Sequence, residues 1–171
     1  MRRVEVLPYD EKWSILFKEE AAKIKTVYGD KILNIHHIGS TAIPSVYAKP
    51  IIDIMVVVKD ISKVDSFNYE MQLLGYTPKG ENGIPERRYF NKGGNARTHH
   101  LHAFQTGNEN ILRHLAFRDY LNEFPDKAKM YSELKLKLSK EFPTDITNYI
   151  DGKNALVKEL DLMALKWYSE K

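Results

Sequence analysis

The sequence contains no cysteine, and that absence removes disulfide staples, thiolate nucleophiles and cysteine-bound metals together. It suits a reducing compartment, so a cytoplasmic location is expected. No run, the opening MRRVEVLPYDEKW included, is apolar for long enough to be a signal peptide or a spanning helix, and no membrane partner is expected. A one-signed charge block is missing as well. The formal charge is only +3, with the basic residues spread along the chain, so nucleic acid is not indicated, whereas a small phosphorylated ligand is compatible with that balance. Repeats and low-complexity tracts are absent. So are a Walker A sequence, a dinucleotide-binding glycine pattern, a nucleophile elbow and a helical His-Glu-x-x-His, which argues against P-loop NTPases, Rossmann dehydrogenases, α/β hydrolases and zinc proteases.

What is present is ordinary globular material: 171 residues, 43% hydrophobic and 29% charged, enough for one compact domain. RRVEVL reads as a short edge strand broken by Pro8. Asp10 is a plausible cap for a helix over 11–27, with Trp13, Leu16, Phe17, Ile24 and Val27 on its core stripe. ILNIHHIG reads as a strand, followed by an irregular or briefly helical link and a second strand around Asp53. SKVDSFNYEMQLLGY reads as a helix capped by Ser62 and stopped by Gly75. RRYFNK and THHLHAF are strands separated by Lys92, Gly93, Gly94 and Asn95, which is hairpin punctuation. Beyond residue 107 three helical patterns follow, over 109–122, 125–141 and 146–168, with Pro125 and Pro143 suited to starting the last two. The expected fold class is α+β: a single domain with an α/β core over 1–107 and C-terminal helices over 108–171.

One stretch concentrates the chemistry. In HIGSTAIPSVYAKPIIDIMVVV the β-branched run Ile51 to Val58 has the look of a central strand covered on both faces, and it carries an acid, Asp53, that needs a partner. Just upstream, Gly39-Ser40-Thr41 is either an ordinary turn or a small anion-binding nest of amides and hydroxyls. Lys49 is either a phosphate-neutralising group or a solvated strand end.

The segments HIGSTAIPSVYAKPIIDIMVVV, RRYFNKGGNARTHHLHAF, LRHLAFRDYL and YSELKLKLSKEF with NYIDGKNALVKEL together resemble the GrpB family over nearly the whole chain. The resemblance implies a nucleotidyltransferase (polymerase beta-like) fold, a mixed β-sheet with flanking helices and a helical C-terminal part. The wider nucleotidyltransferase pattern is a Gly-Gly or Gly-Ser turn, a gap, and a strand with two acids at alternate positions. Gly39-Ser40 and Asp53 match it, and Met55 stands in the second acid's place. Side chains at i and i+2 of a strand share a face, so this chain keeps half of a metal-holding pair. On THHLHAF, His100 and His102 also share a face, and the resemblance sets this strand beside that of Asp53. Asp53, His100 and His102 then form either a metal-ligand set or a hydrogen-bonded polar cluster. Magnesium or manganese would serve a transferase; manganese, iron, nickel or zinc would suit the histidines.

Further phosphate ligands are expected at Arg87, with Arg88 and Arg97 nearby, and on helices where Tyr131 and Lys135, and Tyr149 and Lys153, lie four apart. Arg118 and Asp119, being adjacent, are expected to point to different partners, and His114 receives no chemical task. The functional expectation is a nucleotidyltransferase with Asp53 as its catalytic residue, binding a nucleoside triphosphate and a divalent metal and serving an unknown acceptor. The alternatives are a non-catalytic module for a nucleotide or other phosphorylated metabolite, and a metal-dependent phosphoesterase at an Asp-His-His site.

Overall fold

The structure, a computed structural model, describes residues 2–171. The chain forms two compact units. A sheet unit comprises Lys12–Ile38 and Ile51–Ile111, and a helical unit comprises Met1–Glu11, Gly39–Pro50 and Leu112–Lys171. The chain segments before residue 12 and around the Gly39 turn therefore group with the C-terminal helices, a grouping that no composition shift marks.

In the sheet unit, helix α1 (Lys12–Tyr28) precedes strands β1 (Ile32–Ile38) and β2 (Ile52–Val58). Helix α2 (Asn68–Leu73), strand β3 (Tyr76–Pro78), strand β4 (Arg87–Lys92) and strand β5 (His99–Gln105) follow. The sheet order is β1-β2-β5-β4-β3, with β2 and β5 parallel and the other pairs antiparallel. This is the expected mixed sheet with flanking helices. Strand β2 is an interior strand, between β1 and β5, and it is covered on both faces: Ile52, Ile54, Met55, Val56, Val57 and Val58 are all buried. Each such side chain contributes roughly 1.5–3 kcal/mol of burial free energy. The hairpin between β4 and β5 closes as its glycines suggest, with Lys92 opposite His99.

Several elements depart from the sequence reading. The RRVEVL strand does not form; Leu7 instead makes an isolated bridge to Ala48, and the Val4 N–H donates to the Pro143 carbonyl at 2.8 Å. Over SKVDSFNYEMQLLGY the chain makes 3₁₀ turns across Ile61–Phe67 before the short α2. The cap there is Asp60, whose carboxylate accepts from the Ser62 N–H and hydroxyl, because its acceptor oxygen, two residues upstream, reaches both donors. Strand β3 is too short to show a period of two. On α1, Leu16 is 43% exposed while Glu20 is buried, so the buried stripe lies slightly rotated from the one expected.

Glu20 is tolerated inside because donors surround it. Tyr76 Oη and Lys92 Nζ each donate to Glu20 Oε1 at 2.9 Å, and His99 Nε2 lies 3.9 Å from Oε2. Burial opposes its ionisation, and the Lys92 and Tyr76 hydrogen bonds outweigh it, holding the carboxyl below the ordinary glutamate range.

The helical unit contains α4 (Pro125–Glu141), α5 (Ile146–Ser169) and, from Leu112 on, the helix α3 (Glu109–Glu123). Pro125 starts α4 at its first turn, and α5 is capped by Asp145, whose side chain accepts from the Asn148 N–H. Ile43 and Val46 pack with Ala116, Leu121, Ala128 and Leu160 in one core, while Val4 packs with Leu138 and Tyr149 in another. No helix among the described residues is long and apolar enough to cross a membrane.

Two outcomes are expected. Gly93 has φ +99°, and a β-carbon there would sit 2.4 Å from the Ala96 carbonyl oxygen; Gly93→Ala therefore lowers unfolding free energy by about 1–3 kcal/mol in urea titration. Glu20 stabilises the fold fully above the ordinary glutamate pKa and loses that contribution as pH falls through its lower folded value. Denaturation at a series of pH values should show an acid limb that flattens in Glu20→Ala, at a cost near neutrality of about 3–5 kcal/mol.

Candidate functional site

Strand register assembles the acid and the histidines. Met55 lies beside His36 on β1 and His102 on β5, and His102 is opposite Tyr89 on β4; in the next row Asp53 lies beside Ile38 and His100, with Asn91 opposite His100. Since alternate residues share a face, Asp53, Met55, His100, His102, Tyr89 and Asn91 line one side of the sheet. Asp53, His100 and His102 thus come together, as the alternation predicts. His100 Nδ1 is 3.3 Å and His102 Nε2 is 3.4 Å from the same oxygen, Asp53 Oδ1. The Asp53 side chain keeps 28% of its surface exposed. Burial opposes its ionisation, and the hydrogen bonds from His100 and His102 outweigh that, holding the carboxyl far below the ordinary aspartate range. Burial pushes the His102 imidazole down against the pull of Asp53, which favours its neutral form.

The outer nitrogen of each ring is held by an arginine. Arg97 Nη1 lies 3.0 Å from His100 Nε2, and Arg87 Nη1 lies 3.3 Å from His102 Nδ1. Arg87 is itself fastened by Nε to the Glu81 carbonyl and by Nη2 to the Asn82 carbonyl, at 3.1 and 2.8 Å. It is buried, and its guanidinium lies 4.9 Å from the Tyr89 ring centroid. Tyr89 in turn packs against both imidazoles, at 5.8 and 5.4 Å. A guanidinium has donors only, so each arginine-facing nitrogen must be a lone-pair nitrogen. The nitrogens facing Asp53 then carry the hydrogens.

That protonation pattern bears on a metal. A neutral imidazole has one lone pair, and here it is spent on arginine in both rings. No group of three or more His, Asp or Glu side chains among the described residues is arranged to hold a metal ion. Met55, in the place of a second acid, is fully buried and offers no oxygen. The residues present do not fit the divalent metal that the fold implies.

The helical unit carries the other expected residues. Gly39, at φ +73°, turns the chain into a 3₁₀ segment over Ser40–Ala42, in which Thr41 is buried. Lys135 on α4, only 2% exposed, places Nζ 2.7 Å from Ser40 Oγ and 4.7 Å from the Tyr131 ring centroid. Two more ammonium groups, those of Lys49 and Lys153, lie 5.2 and 5.3 Å from the centroid of Tyr149. Tyr149 is fully buried, its hydroxyl finds no hydrogen-bond partner among the described residues, and burial together with Tyr131 pushes the phenol well above its ordinary pKa. Lysines 49, 135 and 153 thus converge on the aromatic faces of two tyrosines.

The remaining candidates have structural partners. Arg88 pairs with Asp65 at 2.9 Å. Arg118 and Asp119, expected to face different partners, bond each other at 2.8 Å, the long arginine side chain reaching the neighbouring carboxylate. Tyr89 and Asn91 escaped the sequence reading, although the alternation of RRYFNK against THHLHAF was the signal that could have placed them on the histidine face.

Comparison with known proteins identifies the family and the fold. The family model described as GrpB protein matches residues 3–162. The UPF0157 protein YqkA of Bacillus subtilis is 51% identical over 97% of this chain, and the chain spans 48% of that relative's length. The crystal structure of GrpB from Enterococcus faecalis is 44% identical, with a TM-score of 0.93, over 96% of this chain and 99% of that one. The Cid1 poly(U) polymerase, solved with Mg 3′-dATP bound, is 14% identical with a TM-score of 0.54, over 79% of this chain and 43% of that one, a likeness of fold alone. The fold is nucleotidyltransferase-like, and the chain belongs to the GrpB family.

Proposed function

We propose that this chain binds a phosphorylated small molecule on the Ser40, Lys49, Lys135 and Lys153 groups of the helical unit, nucleoside triphosphates being the first class to test. The observation that carries the reading is Lys135. An ammonium is buried beside a hydroxyl and a π face, and two further ammonium groups lie over the ring of Tyr149, donors and positive charge of the kind that bind a polyanion. Gly39 and the buried Thr41 fix the turn that presents Ser40. Tyr149 adds a buried hydroxyl still in need of a partner. The nucleotide class draws support from the fold's likeness to a polymerase solved with a nucleotide. Arg87 takes no part, its guanidinium being committed to the Glu81 and Asn82 carbonyls and His102.

Binding is favoured over transfer. Metal-clamped nucleotidyl transfer needs oxygen ligands on two alternate strand positions, and position 55 is a buried methionine. The protein would then hold its ligand without turning it over.

Calorimetric titration with ATP and UTP tests this reading. Binding is expected to persist in EDTA and to weaken about 10- to 100-fold in Lys135→Met, the range of a lost charge-assisted hydrogen bond. Absence of binding, or pyrophosphate release that depends on magnesium and Asp53, contradicts it. Tyr149→Phe separates ligand contact from packing. Deleting an unpartnered buried hydroxyl should raise stability by about 1 kcal/mol, and on this reading it also lowers ligand affinity; unchanged affinity means the hydroxyl faces no ligand.

A further inference from the structure

Five side chains of the sheet unit form one continuous polar chain: Arg97, His100, Asp53, His102 and Arg87. Its chemistry is fixed at both ends. Each guanidinium can only donate, so it selects the imidazole tautomer whose lone pair faces outward, and that tautomer puts an N–H on Asp53 from either side. The carboxylate consequently spends one oxygen, Oδ1, on two imidazoles. Among the described residues no hydrogen bond occupies Oδ2, and the Asp53 side chain is partly exposed.

Charge decides what that oxygen can take. With both imidazoles neutral, the chain holds one carboxylate and two guanidinium groups, a net positive site. A divalent cation entering there would meet two fixed cations and N–H groups where it needs lone pairs, whereas a neutral hydroxyl needs only an acceptor. The Tyr89 ring, packed on both imidazoles and under Arg87, holds the chain in register. Freeing either histidine for metal would require a tautomer flip that sets an imidazole N–H against a guanidinium N–H.

We propose that in this chain Asp53 is not a metal ligand but the centre of a metal-free Arg97–His100–Asp53–His102–Arg87 relay, whose open oxygen, Oδ2, accepts a hydroxyl of a polyol or sugar-like ligand. This inference rests on the sheet unit alone and stands whether or not the lysine groups of the helical unit bind phosphate.

Long-range proton–nitrogen NMR of the ¹⁵N-histidine-labelled protein reads it directly. His100 should show a protonated Nδ1 and His102 a protonated Nε2, each as a single neutral tautomer near neutral pH. Stoichiometric manganese should leave both rings unbroadened, and ribose should shift their resonances in a saturable manner. Arg97→Met, which removes a partly exposed guanidinium, should turn His100 into a mixture of tautomers while His102 keeps its own. The opposite tautomers, selective manganese broadening of His100 and His102, or no response to ribose at millimolar concentrations would each overturn the proposal. The tautomer, manganese and ribose readouts are made on the unsubstituted protein, so they do not depend on the stability of Arg97→Met.

Discussion

The carboxylate of Asp53 is the constraint around which the sheet unit is arranged. An acid on a strand whose neighbours are fully buried cannot stay ionised without donors, and an isolated charge there would cost several kcal/mol. The sheet meets that need by running β5 parallel to β2, so that two alternate histidines arrive beside the acid, and by letting β4 and the loop before it bring arginine behind one imidazole. The glycine-rich hairpin brings the other arginine. Strand order, hairpin geometry and charge balance all serve one oxygen atom.

How much of this could be read from sequence depended on the period of the signal. Strand β2 was legible because six buried apolar residues flank one acid, and β5 because THHLHAF alternates visibly. The three C-terminal helices were legible through their apolar spacing and through Pro125. Less local features escaped. RRVEVL has the alternation of a strand but no ladder partner beyond a single bridge, and β3 has three residues, too few for any period. Pairing of adjacent Arg118 and Asp119 depends on rotamers, which sequence spacing does not encode.

The site shows the same division. Strand alternation together with the family resemblance predicted that Asp53, His100 and His102 would meet, and the register brings them together. What they do together was undetermined by type, since an imidazole serves equally as a metal ligand and as a hydrogen-bond donor. The deciding residues, Arg87 and Arg97, were read from sequence as phosphate ligands because arginine near a suspected phosphate site suggests that role. In the structure each also contacts an imidazole, Arg87 that of His102 and Arg97 that of His100. Lys135 and Ser40 illustrate the converse: ninety-five positions apart in the chain, they are joined at 2.7 Å, a contact that helical spacing alone could not reveal. Met55 gives the family resemblance its twist, keeping the nucleotidyltransferase-like fold while replacing an acid with a buried thioether.

Neutron diffraction from perdeuterated crystals grown near neutral pH would test the central claim most directly, because it locates every hydrogen in the chain of side chains. The account requires deuterium on Nδ1 of His100 and Nε2 of His102, none on the Asp53 carboxyl, and bare nitrogens facing Arg97 and Arg87. Deuterium on the arginine-facing nitrogens, or a protonated Asp53, would contradict it.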